Sequence, residues 1–273
     1  MKKFKIFKKI LLCALVISFT ACSSDDDSPG TPDGSGAVKV KEFKRITTQT
    51  DFVINGIENS MIYEYNDEGK VNRVVNKVVN QNPADNYEYR YTIHYNTDQT
   101  VQRIDVVDTE FGENTVVNFN YTGGRLSSLS YSEGEPLLFS YNSATNTYSC
   151  VLDPEFPDFV VSVSFNSAND VTGFTGLFGT QQVSTNSNEG IYAGTSMNQE
   201  LKVYFMLVGD PVGNNGFFQS KEITQIHASG ETIFGPIEPI TVNMVNVVRN
   251  SAGLITSYQI EGGDPRFEIT YVE

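Results

Sequence analysis

The chain has 273 residues with 33 Asp+Glu against 19 Lys+Arg, 39% apolar and 12% aromatic side chains, and no Trp. That apolar content is too high for a disordered chain, and there is no Gly-X-Y period, no heptad run and only one long apolar stretch. Collagen-like, coiled-coil and polytopic helical membrane classes are therefore excluded, and a net charge of −14 makes a nucleic-acid partner an unfavourable one.

In chain order, residues 1–9 carry Lys2, Lys3, Lys5, Lys8 and Lys9 with no acid, and Ile10 to Ala21 is a mostly apolar run too short to span a bilayer permanently. Residues 1–21 read as a signal peptide. Its loss removes five of the 19 bases, leaving 14 against 33 acids and a net charge of −19. The stretch Ser18-Phe19-Thr20-Ala21-Cys22 resembles a lipobox, although the family usually has Leu where Ser18 or Phe19 stands. The resemblance implies a lipidated Cys22 and a membrane-anchored chain; the alternative is an ordinary secreted protein cut nearby. Two or more acyl chains hold a protein at a membrane stably, where one would not. Ser23, Ser24, Asp25, Asp26 and Asp27 resemble the acidic export signal of Bacteroidota-type surface lipoproteins, which implies an outer-membrane lipoprotein exposed at the cell surface. A periplasm-facing lipoprotein with a plain acidic spacer is the other reading. Residues 22–37 hold the Cys and then small or polar residues, with no large apolar side chain to offset ordering entropy, and read as a flexible tether.

Residues 38–273 read as a single β-rich domain. Tyr87-Glu88-Tyr89-Arg90-Tyr91-Thr92-Ile93-His94-Tyr95 alternates apolar and polar throughout, the period of a strand with one dry and one wet face. Val161-Ser162-Val163-Ser164-Phe165 repeats the pattern. Leu201 to Val208 is apolar at nearly every position before Gly209-Asp210-Pro211, which predicts a strand covered on both faces.

A unit also recurs, starting at Tyr65, Tyr95, Tyr121, Tyr141, Phe165 and Arg249. In the first, Tyr65 ends a strand, Asn66-Asp67-Glu68-Gly69 makes a turn, and Val71 and Val74 follow. Val101 and Ile104, Val171 and Phe174, and Ile255 and Tyr258 hold those places in other copies. A three-residue spacing cannot keep both side chains on one face of a regular strand, so either a bulge follows the turn or both faces are partly buried. Tyr63-Glu64-Tyr65-Asn66-Asp67-Glu68-Gly69-Lys70-Val71 resembles the YD (RHS-type) repeat, with Asn66 in place of Asp. The likeness runs roughly from Tyr63 to Phe174, plus the last unit, and is nearest to small Bacteroidota lipoproteins with degenerate YD-like hairpins. It implies a hairpin meander and no catalytic residues. The expectation is an all-β, antiparallel up-and-down meander, strongly curved or partly closed into a barrel, with no substantial helix after the signal peptide. A transmembrane barrel is the competing architecture; it would duplicate the lipid anchor and needs a regular apolar-outward band.

No nucleophile elbow, phosphate loop or zinc signature occurs, and no metal or cofactor is expected. Cys150 reads as a small buried hydrophobe, and His94 and His227 as strand histidines beside polar neighbours. The acids of Asp153 to Asp158 and of the Asn66–Glu68 turn read as solvated loops rather than calcium ligands. Tyr87, Tyr89, Tyr91 and Tyr95 form a ladder, either an exposed face for stacking sugars or the half-buried face of the sheet. The expected function is non-enzymatic: a lipid-anchored envelope module binding a glycan or a protein. The alternatives are a carrier of an apolar ligand in a curved-sheet cavity and a hydrolase with a carboxylate pair hidden by the fold.

Overall fold

The computed structural model describes residues 38–47, 56–109, 111–155, 157–158, 160–176, 178–208, 218–232 and 235–272. Residues 1–21, read above as a signal peptide, together with Cys22 and the run Ser23, Ser24, Asp25, Asp26 and Asp27, lie outside them. The strands are β1 (Val40–Ile46), β2 (Gly56–Tyr65), β3 (Val71–Asn80), β4 (Tyr87–Tyr95), β5 (Val101–Asp108), β6 (Glu113–Thr122), β7 (Arg125–Tyr131) and β8 (Leu137–Asn142). There follow β9 (Thr147–Val151), β10 (Val160–Phe165), β11 (Val171–Gly176), β12 (Phe178–Glu189), helix α1 (Gln199–Leu207), β13 (Lys221–Thr232), β14 (Gly235–Arg249), β15 (Ile255–Ile260) and β16 (Arg266–Tyr271). Each strand pairs antiparallel with its sequence neighbour, and β16 pairs with β1, so the all-β meander closes into a barrel with no free end strand.

The repeats are hairpins stacked around one rim. In four of them an Asn opens the turn and the fourth residue takes a left-handed backbone: Gly69 (φ 80°), Gln99 (φ 71°), Asn169 (φ 62°) and Gly253 (φ 82°). In the copy starting at Tyr121, Gly123 and Gly124 supply both left-handed positions of a two-residue turn (φ 59° and 75°). The ladder slips by one residue beside Tyr65, Tyr95, Tyr121, Phe165 and Arg249, so a bulge accompanies each of these turns. The bulge puts both members of each spaced pair inside: Val71, Val74, Val101 and Ile104 are all 0% exposed. Four tyrosines near the ends of even strands are tied to the preceding odd strand. The Tyr65, Tyr95, Tyr121 and Tyr271 hydroxyls donate to the carbonyls of Val40 (2.6 Å), Val71 (2.5 Å), Val101 (2.8 Å) and Ile255 (2.8 Å).

Two strands change partner and make corners. β14 pairs with β13 up to Asn243 and with β15 from Met244; β8 pairs with β7 through Leu137 and Leu138 and with β9 from Phe139. At both corners the flanking strands part toward the repeat rim, where the connection from β12 to β13 enters. The ring becomes two facing sheets there, with the connection between them.

That connection overturns one expectation. Leu201 to Val208 is not a strand: Gln199–Leu207 is a helix, buried at eight of its nine positions. The physical reason is closure. A segment enclosed by the ring that lies along no strand must satisfy its backbone internally, and a helix does so. α1 packs on β10 and β11, with Tyr204 and Phe205 reaching Tyr91 of β4 at 6.3 and 5.3 Å between ring centroids. The chain around it touches the rim hairpin by hairpin: Thr195 accepts from the Val40 amide, Ser196 from Val71, and Asn198 donates to the Gln99 carbonyl. Gln199 then donates to the Asn146 side chain and Lys202 to the Asn169 carbonyl. It is a plug, held by one polar contact per hairpin over an apolar body.

Candidate functional site

The tyrosine ladder faces inward. Tyr91 is buried against the plug; Tyr87, Tyr89 and Tyr95 are half-buried, with centroids 5.6 Å apart for Tyr87–Tyr89 and 6.4 Å for Tyr89–Tyr91. Burial pushes the Tyr95 hydroxyl up to about 12. Tyr91 is therefore core, Tyr89 and Tyr95 pack against that core, and Tyr87 stands half-buried at the strand's start, so the row is drawn inward on the dry face of a closing sheet.

The interior is likewise filled rather than hollow. Tyr63, Tyr192, Phe43, Phe205 and Phe218 pack ring on ring between the two sheets. The pocket at the β14 corner, between Ile191, Ile223, Met244, Val247 and Tyr258, holds about 20 Å³, room for a water molecule rather than a lipid.

Two buried carboxylates are engaged in structure. Asp170 accepts from the Ser220 amide (2.9 Å) and hydroxyl (2.6 Å), tying the plug's return to the β10–β11 turn. Burial alone would raise the Glu222 carboxyl, but donors from Asn188, Asn186 and Arg249 outweigh it and hold the carboxyl below its ordinary value. Cys150 is buried, with its thiol pushed up to about 12 by burial, and so carries little thiolate near neutrality. His94 pairs with Asp105 at 2.7 Å on the outer surface. His227 lies between the Ser184 hydroxyl (3.1 Å) and the Thr241 hydroxyl (2.7 Å). Among the described residues no group of three His, Cys, Asp or Glu side chains could hold a metal ion.

What the sequence reading missed is the outer surface, which has two characters. From β16 through β5 it carries paired charges: Lys44–Glu58 (2.9 Å), Arg73–Glu64 (3.0 Å), Arg103–Asp105 (3.1 Å) and Arg266–Glu268 (2.7 Å). From β8 through β12 the strands contain one charged residue, Glu189, at the very end. There the register aligns Ser140, Ser149, Ser162, Thr175, Thr180 and Ser229 in one row across six strands. A second row beside it holds Thr147, Ser164, Gln182 and His227. The signal was legible only in part: Ser162 and Ser164 alternate in sequence, but the row needs the register of six strands.

Fold and surface together define a plugged, closed antiparallel barrel with an apolar inside and a polar outside. No family model matches the chain, and no curated protein matches it. Among solved structures, a porin-like protein from Bacteroides uniformis ATCC 8492 is similar over 85% of this chain and 98% of its own, at 15% identity and a TM-score of 0.49. A likeness of that degree says nothing of what this chain binds or where it sits.

Proposed function

We propose that this protein is a lipid-anchored binding module of the outer membrane, displayed at the cell surface, whose barrel stands in water rather than across the bilayer. The observation that carries this is the direction of the barrel's faces. A lipid-spanning barrel turns an apolar band outward, and each Lys or Arg on that band costs about 2–4 kcal/mol at the midplane. Here Lys44, Arg73 and Arg103 lie outward in ion pairs, while Phe43, Val74 and Ile104 lie inward and are at most 1% exposed. With the interior filled, neither conduction nor carriage of a bulky apolar ligand has room. Attachment then falls to Cys22, with Asp25, Asp26 and Asp27 directing export to the surface, as the lipobox-like and acidic stretches imply. With Asp170 and Glu222 committed to structural partners, the activity is binding rather than catalysis, and the partner is a glycan or an envelope protein.

Two measurements test this. Cys22→Ala should move the protein from the membrane fraction to the soluble one, and the released protein should leave a planar bilayer's conductance unchanged. Retention of the Cys22→Ala protein in membranes, or stepwise conductance, would overturn the reading.

A further inference from the structure

The uncharged side of the barrel is the place where this molecule departs most from its own composition. A chain of net charge −14 crowds its acids into loops and the opposite sheet, yet five consecutive strands hold a single acid, Glu189, at the end of β12. Their outward positions are not merely polar. Six hydroxyls stand in line from Ser140 to Ser229, on strands about 4.8 Å apart, so the row extends about 24 Å. Along it Thr175 and Thr180 share a hydrogen bond of 3.0 Å, and in the next row Thr147 and Ser164 share one of 2.9 Å. Such pairing orients the hydroxyls while leaving each oxygen further hydrogen-bonding capacity. On the flank away from the repeat rim, Leu138 and Val160 are 66% and 47% exposed, which adds an apolar margin to the polar rows.

We infer that this face, centred on Ser149, Ser162 and Thr180, binds a neutral polysaccharide lying along the hydroxyl row. The match is one of charge and of chemistry. A uronate or sulfated polymer would be repelled by the acidic body, whereas a neutral polymer meets no charged side chain among the six residues of the row from Ser140 to Ser229. Hydroxyl and amide side chains donate and accept in either sense, as sugar hydroxyls do, and the aliphatic margin suits the C–H faces of pyranose rings. The strand spacing repeats the contact at intervals comparable to one sugar residue. The inference rests on the binding reading above and replaces the inward tyrosine ladder as its contact surface.

The test is co-sedimentation of the full chain, held in a zwitterionic detergent free of sugar, with insoluble cellulose, β-1,3-glucan and mannan, and with calcium alginate as the anionic polymer. Retention on at least one neutral polymer and none on alginate is expected. Ser162→Lys, which sets a charge in the middle of the row, should weaken that retention about tenfold or more, while Lys77→Glu on the charged side should leave it unchanged. Gln182→Lys, at an exposed position of the second row, repeats the test if Ser162→Lys does not reach the native circular dichroism spectrum. Retention on none of the neutral polymers by folded protein, or retention that survives Ser162→Lys and Gln182→Lys, overturns the assignment. So does self-association that Ser162→Lys abolishes without any polysaccharide retention, which would make the face an interface between copies. These failures leave the anchored, water-facing reading standing; membrane retention of the Cys22→Ala protein, or stepwise conductance, removes that.

Discussion

Lys202 is the residue whose burial has the clearest consequence in solution. The residue is 7% exposed within the plug, and its ammonium donates to the carbonyls of Asn169 (2.7 Å) and Phe218 (3.1 Å), with Asp170 at 3.9 Å. Burial pulls its pKa from 10.5 down to about 8, against the pull of Asp170. The folded chain therefore releases this proton before the unfolded chain does, and stability rises between pH 8 and 10.5. The tyrosines act in the opposite sense. Burial raises Tyr95 and Tyr271 from 10.0 to about 12, so their contribution is complete below pH 10 and is lost as pH climbs through 12. Guanidinium titrations should accordingly show stability increasing from about pH 7.5 to 9.5, by on the order of 1–3 kcal/mol, and decreasing above about pH 10.5. In Lys202→Met the increase should vanish and the decrease remain. A wild-type profile level between pH 7.5 and 9.5 would show that no charge is held in the plug at that position.

At the scale of the element, the hairpin turn recurs with one departure from its preferred chemistry. Gly69 and Gly253 occupy the left-handed position without penalty and Asn169 tolerates it, but in the second unit Gln99 stands there at φ 71°. Gln99→Gly removes that strain at the cost of an exposed hydrogen bond from Lys70 (2.7 Å), which contributes little. The melting temperature should rise by about 2–4 °C in a calorimetric scan, as a gain of about 1 kcal/mol implies for a domain this long; a fall would mean the side chain matters more than the backbone. The turn was readable in the sequence because it is local, an Asn followed by a left-handed residue; the apolar side chains three apart after it allowed a bulge or two partly buried faces, and the register shows the bulge. Leu201 to Val208 was not readable in that way. A run apolar at nearly every position has no period to separate strand from helix, and what decided it was enclosure inside the ring, where a helix satisfies its own backbone. The helix-forming Gln199, Glu200, Leu201 and Lys202 at its start were the signal that could have found it.

For the whole molecule, the plug couples the two sheets, since its contacts run from the Val40 strand to the Asn169 turn. Phe205→Ala, at a side chain 0% exposed between Tyr91 and Phe218, should cost about 3–5 kcal/mol while unfolding remains a single transition by fluorescence and circular dichroism alike. A separate early transition confined to the plug would show that the ring stands without it.

By itself the sequence determined what depends on neighbours along the chain: the all-β class, the alternation of dry and wet positions in Tyr87 to Tyr95 and the turns of the repeats, while the choice between a bulge and two buried faces after each turn fell to the register. Period-2 patterning tells a strand that it has two faces; it does not tell which strands it will sit between. Closure of β16 on β1, the inward direction of the tyrosine ladder, the helical plug and the alignment of Ser140 through Ser229 were decided by register between segments far apart in sequence. There, burial of the apolar face and pairing of every backbone edge had to be satisfied together, and only the closed ring satisfies both.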